Sequence, residues 1–162
     1  MPIPCYLSLE GAKQGKIEGS CEIEAHLGKI LIQAVDHRVE LPKNPQSGLP
    51  SGKRQHLGMN VTKVIDKASP KIEQALCTGE RLTKALLEFY HVTKEGHEEQ
   101  YYTIELFNAV VVASHTWVPN CLDKNNASLG HMQDIEMTYE KIVWTWVKDG
   151  IQTDDDWFQR GH

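Results

Sequence analysis

No stretch of this chain approaches the roughly 18 consecutive apolar residues that a membrane-spanning helix requires, so membrane insertion is not expected. The opening MPIPCYLSLEG has no basic segment followed by an apolar core. No cleavable secretory signal is therefore legible, and the chain is expected to fold in the cytoplasm. Excess positive charge is missing too. The formal net charge is −5, which argues against nucleic acid or an anionic membrane as a bulk electrostatic partner. Cysteine is sparse and unpatterned. Cys5, Cys21, Cys77 and Cys121 form no Cys-x-x-Cys pair, and none has a histidine at zinc-ligand spacing. Reduced, semi-buried thiols are expected rather than a disulfide framework or a zinc site.

Catalytic signatures are equally scarce. The segment GKIEGS lacks the Lys-Ser/Thr ending of a phosphate loop, and no Gly-x-Ser-x-Gly elbow is present. Asp36 and His37 are neighbours. On a strand their side chains point to opposite faces, so they are not expected to pair as base and orienting carboxylate. Asp154, Asp155 and Asp156 lack the alternating ligands, central glycine and closing glutamate of a calcium loop, and are expected to form a solvated acidic turn. His115, Cys121 and His131 match no common zinc spacing. The glycosylation sequons at Asn60 and Asn126 are attributed to chance. No catalytic residue, cofactor or metal is expected, and the chain is not expected to be an enzyme.

What is present is strand-forming sequence. With 162 residues, 40% hydrophobic and 24% charged, the chain is long enough to bury one core without a disulfide or metal, and one domain over 1–162 is expected. Residues 4–9, 16–25 and 29–40 suggest strands, as does the region around 57–65. Ser69 is placed as an N-cap, Pro70 at the first helical position and Gly79 at the left-handed C-terminal position. Ile72, Ala75 and Leu76 form the apolar stripe of that short helix. Residues 81–92 fit two patterns. Leu82, Ala85, Leu86 and Phe89 suggest a helix, while Ala85, Leu87 and Phe89 suggest a strand; by pattern alone the helix is favoured. Lys94 to His97 predicts a turn into a long strand over 99–113, and 114–130 is expected to be irregular. Together this predicts a mainly β fold: a closed or nearly closed barrel, or a sandwich, of about eight strands with one short flanking helix near 69–78.

Two segments suggest contact with other molecules. LPKNPQSGLPSGKRQ, residues 41–55, holds three prolines and two glycines and is expected to lack regular structure. Lys43, Asn44, Lys53 and Arg54 make it polar and basic, either as a floppy surface loop or as an arm touching another subunit. The second segment is MTYEKIVWTWVKDGIQTDDDW, residues 137–157, which predicts two strands about an Asp149-Gly150 turn with both turn positions at positive φ. Its apolar residues fall at odd positions through Tyr139 and at even positions from Ile142 through Trp144 and Trp146, with Val143 and Val147 opposite. Either a bulge near Lys141 or apolar faces on both sides would explain this. Tyr139, Trp144 and Trp146 are then candidates for the core or for a subunit interface.

Several segments, in order and spacing, resemble the haemolysin-coregulated protein (Hcp) family, the tube protein of the type VI secretion system. They are PIPCYLSLEG with GKIEGS, then TKVIDKASPKIEQALCTGERL (62–82), then LFNAVVVASHTWVPNCLDKNNASLGHMQDIEMTYEKIVWTWVKDG (106–150), and the Asp155-Asp156-Trp157 ending. The resemblance implies a β-barrel with one helix and a strand over 81–92. It also implies hexameric rings that stack into a tube, are exported without a cleavable signal through the type VI apparatus, and carry effector proteins in the lumen. Implied partners are further copies of the chain, the spike-tip protein, the sheath and effectors. A monomeric β-barrel binding a small apolar ligand is the alternative from another class.

Overall fold

The computed structural model describes residues 4–158; the two ends of the expected 1–162 domain lie outside the described residues. In chain order the strands are β1 (Cys5–Gly11), β2 (Gly15–Ile17), β3 (Ile30–Ile32), β4 (Ala34–Asp36), β5 (Val39–Glu40), β6 (Gln55–His56) and β7 (Met59–Val64). After helix α1 (Ser69–Thr78) come β8 (Arg81–Val92), β9 (Glu98–Phe107), β10 (Ala109–Trp117), β11 (Met132–Thr138), β12 (Lys141–Trp146) and β13 (Ile151–Asp156).

Eleven strands form one sheet, and β5 and β6 form a second. From β8 the antiparallel pairing runs one way through β1 to β3 and the other way through β10, β11 and β7 to β4. Only Gln33 separates β3 from β4, and its N–H donates to the Thr62 carbonyl of β7 at 2.8 Å. The two arms therefore meet, and the sheet curls into a nearly closed barrel, as expected. Leu7, Ile30, Met59, Leu82, Leu87 and Met137 pack inside it with no exposure. From β8 the sheet also continues through β9 and β12 to β13, which is its end strand among the described residues.

The helix sits where its local signals place it, with Ile72 and Ala75 fully buried. Gly79 takes φ +68° and its N–H bonds the Leu76 carbonyl, a conformation glycine adopts without a side-chain penalty. Ser69 is not the cap, however. Ala68 flanks the helix, and the buried Ser69 hydroxyl instead accepts the Asp66 N–H at 3.1 Å.

Residues 81–92 are a strand, as the resemblance implies, and not the helix that pattern alone favours. The run at 99–113 breaks at Asn108, which takes φ +49°, so β9 and β10 are separate and β10 reaches Trp117. Residues 41–54 hold no helix or ladder strand, as expected; the isolated Lys43–Pro50 bridge closes their tip, and β5 pairs with β6 at their base. Finally, only Gly150 of the Asp149-Gly150 pair has positive φ, at +65°, and the connection spans Val147 to Gly150 with the Gly150 N–H on the Val147 carbonyl.

Candidate assembly surface

Residues 37–57 leave the barrel between β4 and β7 and return as a β-hairpin tongue. Its tip is an Asn44 turn: the side-chain carbonyl accepts from Gln46 N–H at 2.8 Å, and the backbone N–H donates to the Leu49 carbonyl. Lys43, Asn44 and Lys53 are exposed on it, and Leu49 is 65% exposed. Arg54 differs. Its guanidinium forks onto the Asp155 carboxylate, with Nη2 at 2.8 Å from Oδ1, and also donates to the Asp156 carbonyl at 2.9 Å. The tongue base is thus clamped to β13 of the same chain. Asp155 is no solvated turn residue. The Arg54 bond holds its carboxyl below the usual range, and His56 adds to this.

Tyr139 is buried at the centre of this clamp. His56 Nε2 lies 2.8 Å from Asp155 Oδ2. The ionised carboxylate therefore keeps the proton on Nε2, leaving Nδ1 to accept the Tyr139 hydroxyl at 2.7 Å. The Tyr139 oxygen in turn accepts from His37 Nε2 at 2.8 Å. Burial, and after it the neighbouring His56, lowers the His37 pKa, while burial raises that of Tyr139. Trp157 closes the cluster, edge-on to Tyr139 with ring centroids 4.9 Å apart. Beside it, a cleft of about 490 Å³ opens between Lys53, Leu57, Trp157 and Phe158.

The two tryptophans divide. Trp144 is half-buried against the core cluster. Trp146 is 38% exposed; its indole N–H donates to Asp149 at 3.0 Å, and Tyr101 meets it edge-on. The change of apolar phase near Lys141 is not a bulge, and β12 is apolar on both faces at its start, where consecutive Ile142 and Val143 are both buried. The phase change marks the end of β11 and the start of β12, which pair with different neighbours. Ile151, opposite Trp146 on the end strand, is 64% exposed.

Of the remaining candidates, Asp36 is exposed, Asp154 faces Lys141 at 3.3 Å, and His115 lies 3.6 Å from Asp134. Among the described residues no three His, Cys, Asp or Glu side chains gather where a metal could bind. Burial pushes the Cys5 thiol up to about 12. One functional-looking feature was missed. Lys63 has no exposure, and its ammonium donates to the Val64 carbonyl, Asp66, Ser69 and, at 3.3 Å, Gln133. It ties β7 to the start of α1 and to β11. The available signal was its alternation in phase with Met59 and Val61.

The sequence matches the family described as type VI secretion system effector, Hcp, over residues 6–146. The chain belongs to the Hcp family. It is 40% identical to the major exported protein of Pseudomonas aeruginosa strain PAO1, over 97% of this chain and 96% of that protein. Among solved structures, an Hcp protein 28% identical superposes with a TM-score of 0.90 over 98% of this chain and all of that one. The secreted protein Hcp3 of Pseudomonas aeruginosa, 32% identical, gives 0.80 over 98% and 100%. Hcp proteins are structural, secreted components of the type VI machinery.

Proposed function

We propose that this chain is a tube subunit of the type VI secretion system that folds in the cytoplasm, closes into hexameric rings and is exported without a cleavable signal. The rings stack, hold effector proteins in the lumen, and meet the spike-tip protein and the sheath. The proposal covers the whole chain as one domain. One observation carries it beyond family membership: β13 is the end strand of the sheet among the described residues, and it presents Ile151 beside Trp146 and Tyr101. An open edge with apolar residues at its end is a template for a second chain. Lateral contact between neighbouring subunits would cover it. Trp144 and Tyr139 support the wall from inside, while Lys43, Asn44 and Lys53 project on the tongue toward the next ring. Native mass spectrometry at micromolar concentration tests this: a six-subunit mass is expected, and a strict monomer would count against it. The small-ligand alternative would require displacing Leu7, Met59 and Leu87 from a contiguous packed cluster.

A further inference from the structure

The tongue stands on two histidines, one at each foot, and both reach the same hydroxyl. His37 is its first residue, and His56 lies in its returning strand β6. Tyr139, between β11 and β12, is 4% exposed. Its oxygen lies 2.8 Å from His37 Nε2 and 2.7 Å from His56 Nδ1. A phenol carries one proton and can donate only once. Tyr139 donates to His56, whose other nitrogen is turned to Asp155, so His37 is the donor in the second bond. With one proton on each imidazole, the hydroxyl both gives and receives.

The two feet are held by different forces. On the returning foot, Arg54 Nη2 lies 2.8 Å from Asp155 Oδ1, and His56 Nε2 adds a bond to the same carboxylate at 2.8 Å. That foot lasts until the carboxylate is protonated, and the Arg54 bond holds Asp155 below the ordinary range. On the outgoing foot, His37 has the Tyr139 bond and a place beside the Trp144 ring, with centroids 6.3 Å apart. The titratable groups around it are Tyr139, His56 and the adjacent Asp36, while Arg38 turns to Glu40 at 3.2 Å. Burial is the strongest influence on His37 and disfavours a second proton; His56 acts in the same sense, and Asp36 opposes them. Out of this site His37 takes that proton at its ordinary 6.5. Release of this foot is therefore favoured as pH falls from 6.5, by up to about tenfold for each unit that separates the docked and free values. The two legs move together, because β5 pairs with β6 and the Leu57 N–H donates to the Arg38 carbonyl at 3.0 Å.

We infer that the tongue is a pH-sensitive arm: in mild acid His37 leaves Tyr139, and the arm pivots on the Arg54–Asp155 clamp while the barrel stays folded. A pivoting arm holds no fixed geometry toward another copy, so mild acid also loosens assembly. The local switch is a property of the single subunit; only its effect on assembly rests on the ring reading above.

Amide hydrogen exchange of the full chain at pH 7.5 and pH 5.5, corrected for the intrinsic pH dependence of exchange, reads the switch directly. Peptides covering 37–57 are expected to exchange several-fold faster at pH 5.5, with 81–92 and 132–138 unchanged. His37→Gln keeps a donor for Tyr139 but takes no second proton, so 37–57 should be equally protected at both pH values. Tyr139→Phe removes the acceptor and should leave 37–57 fast at both. Protection of 37–57 in the native chain that ignores pH overturns the switch, as does an equal change in His37→Gln. Faster exchange across 81–92 as well would make the event unfolding of the whole subunit and overturns it too. Native mass spectrometry at the two pH values reads the consequence: assemblies of the native chain should shrink at pH 5.5 and those of His37→Gln should not. Assemblies of unchanged size overturn the effect on assembly, and a strict monomer at both pH values overturns the ring reading while the exchange result decides the switch.

Discussion

His56 accepts the Tyr139 hydroxyl proton at 2.7 Å while its other ring nitrogen faces Asp155 at 2.8 Å. This single imidazole couples the tongue base, the β11–β12 junction and the edge strand β13. Replacing the hydroxyl, with the ring kept, is the cleanest way to interrogate it. Tyr139→Phe leaves His56 Nδ1 buried and without its donor, which costs roughly 1–3 kcal/mol. Urea unfolding should show a lower midpoint with an unchanged slope. An unchanged midpoint would mean that the chain of bonds contributes nothing.

Acid should loosen the same junction, and the sign follows from two depressed values. Asp155 has a folded pKa below its ordinary 3.8. Its contribution is complete above that value and is lost as pH falls further, through the folded value. His37 is held below its ordinary 6.5. Below 6.5 the unfolded chain takes up a proton that the folded chain resists, so stability declines as pH falls from 6.5 toward the folded value. Stability of the native chain should therefore fall in two stages, and His37→Gln should remove the stage nearer neutrality. Urea titrations between pH 2 and pH 8 would read both stages. A decline below pH 6.5 as large in His37→Gln as in the native chain would contradict the assignment.

Truncating Lys63 is predicted to cost more than removing the Tyr139 hydroxyl. Its ammonium is buried and shared among three side chains, and burial lowers its pKa despite the Asp66 partner. Lys63→Ala strands Asp66 and Gln133 around a cavity, at a cost of roughly 3–5 kcal/mol. Lys63→Met refills the volume and should cost less than the alanine variant. Equal losses in the two variants would show that charge, not packing, sets the cost.

The two tryptophans should respond differently to the same change. Trp144→Asp places a charge against the core and should prevent folding, seen as loss of the native circular dichroism signal. Trp146→Asp alters an exposed face, so the subunit should fold while its assembly weakens. If Trp146→Asp assembles like the native chain, the β12–β13 flank is not the lateral contact.

How legible the fold was depended on the range of the interactions involved. The helix could be placed because Pro70 and Gly79 act locally. Strand β8 was misleading for a structural reason. Leu9 lies opposite Ala85 but Gly11 lies opposite Leu82, with a register shift between them. That irregularity turns Leu82 and Ala85, three apart, to the same side and imitates a helical stripe. The tongue was hidden because its strands are two residues long and its composition is that of a loop. Arg54, grouped by sequence with the stacking lysines, finds its carboxylate 101 residues away, a pairing that no local pattern encodes. Family resemblance supplied what pattern could not for residues 81–92.

The decisive measurement is negative-stain electron microscopy of the native chain at micromolar concentration. Six-membered rings with an open centre, stacking end to end as concentration rises, are the expected result. A field of single small particles at every concentration would contradict the tube-subunit reading.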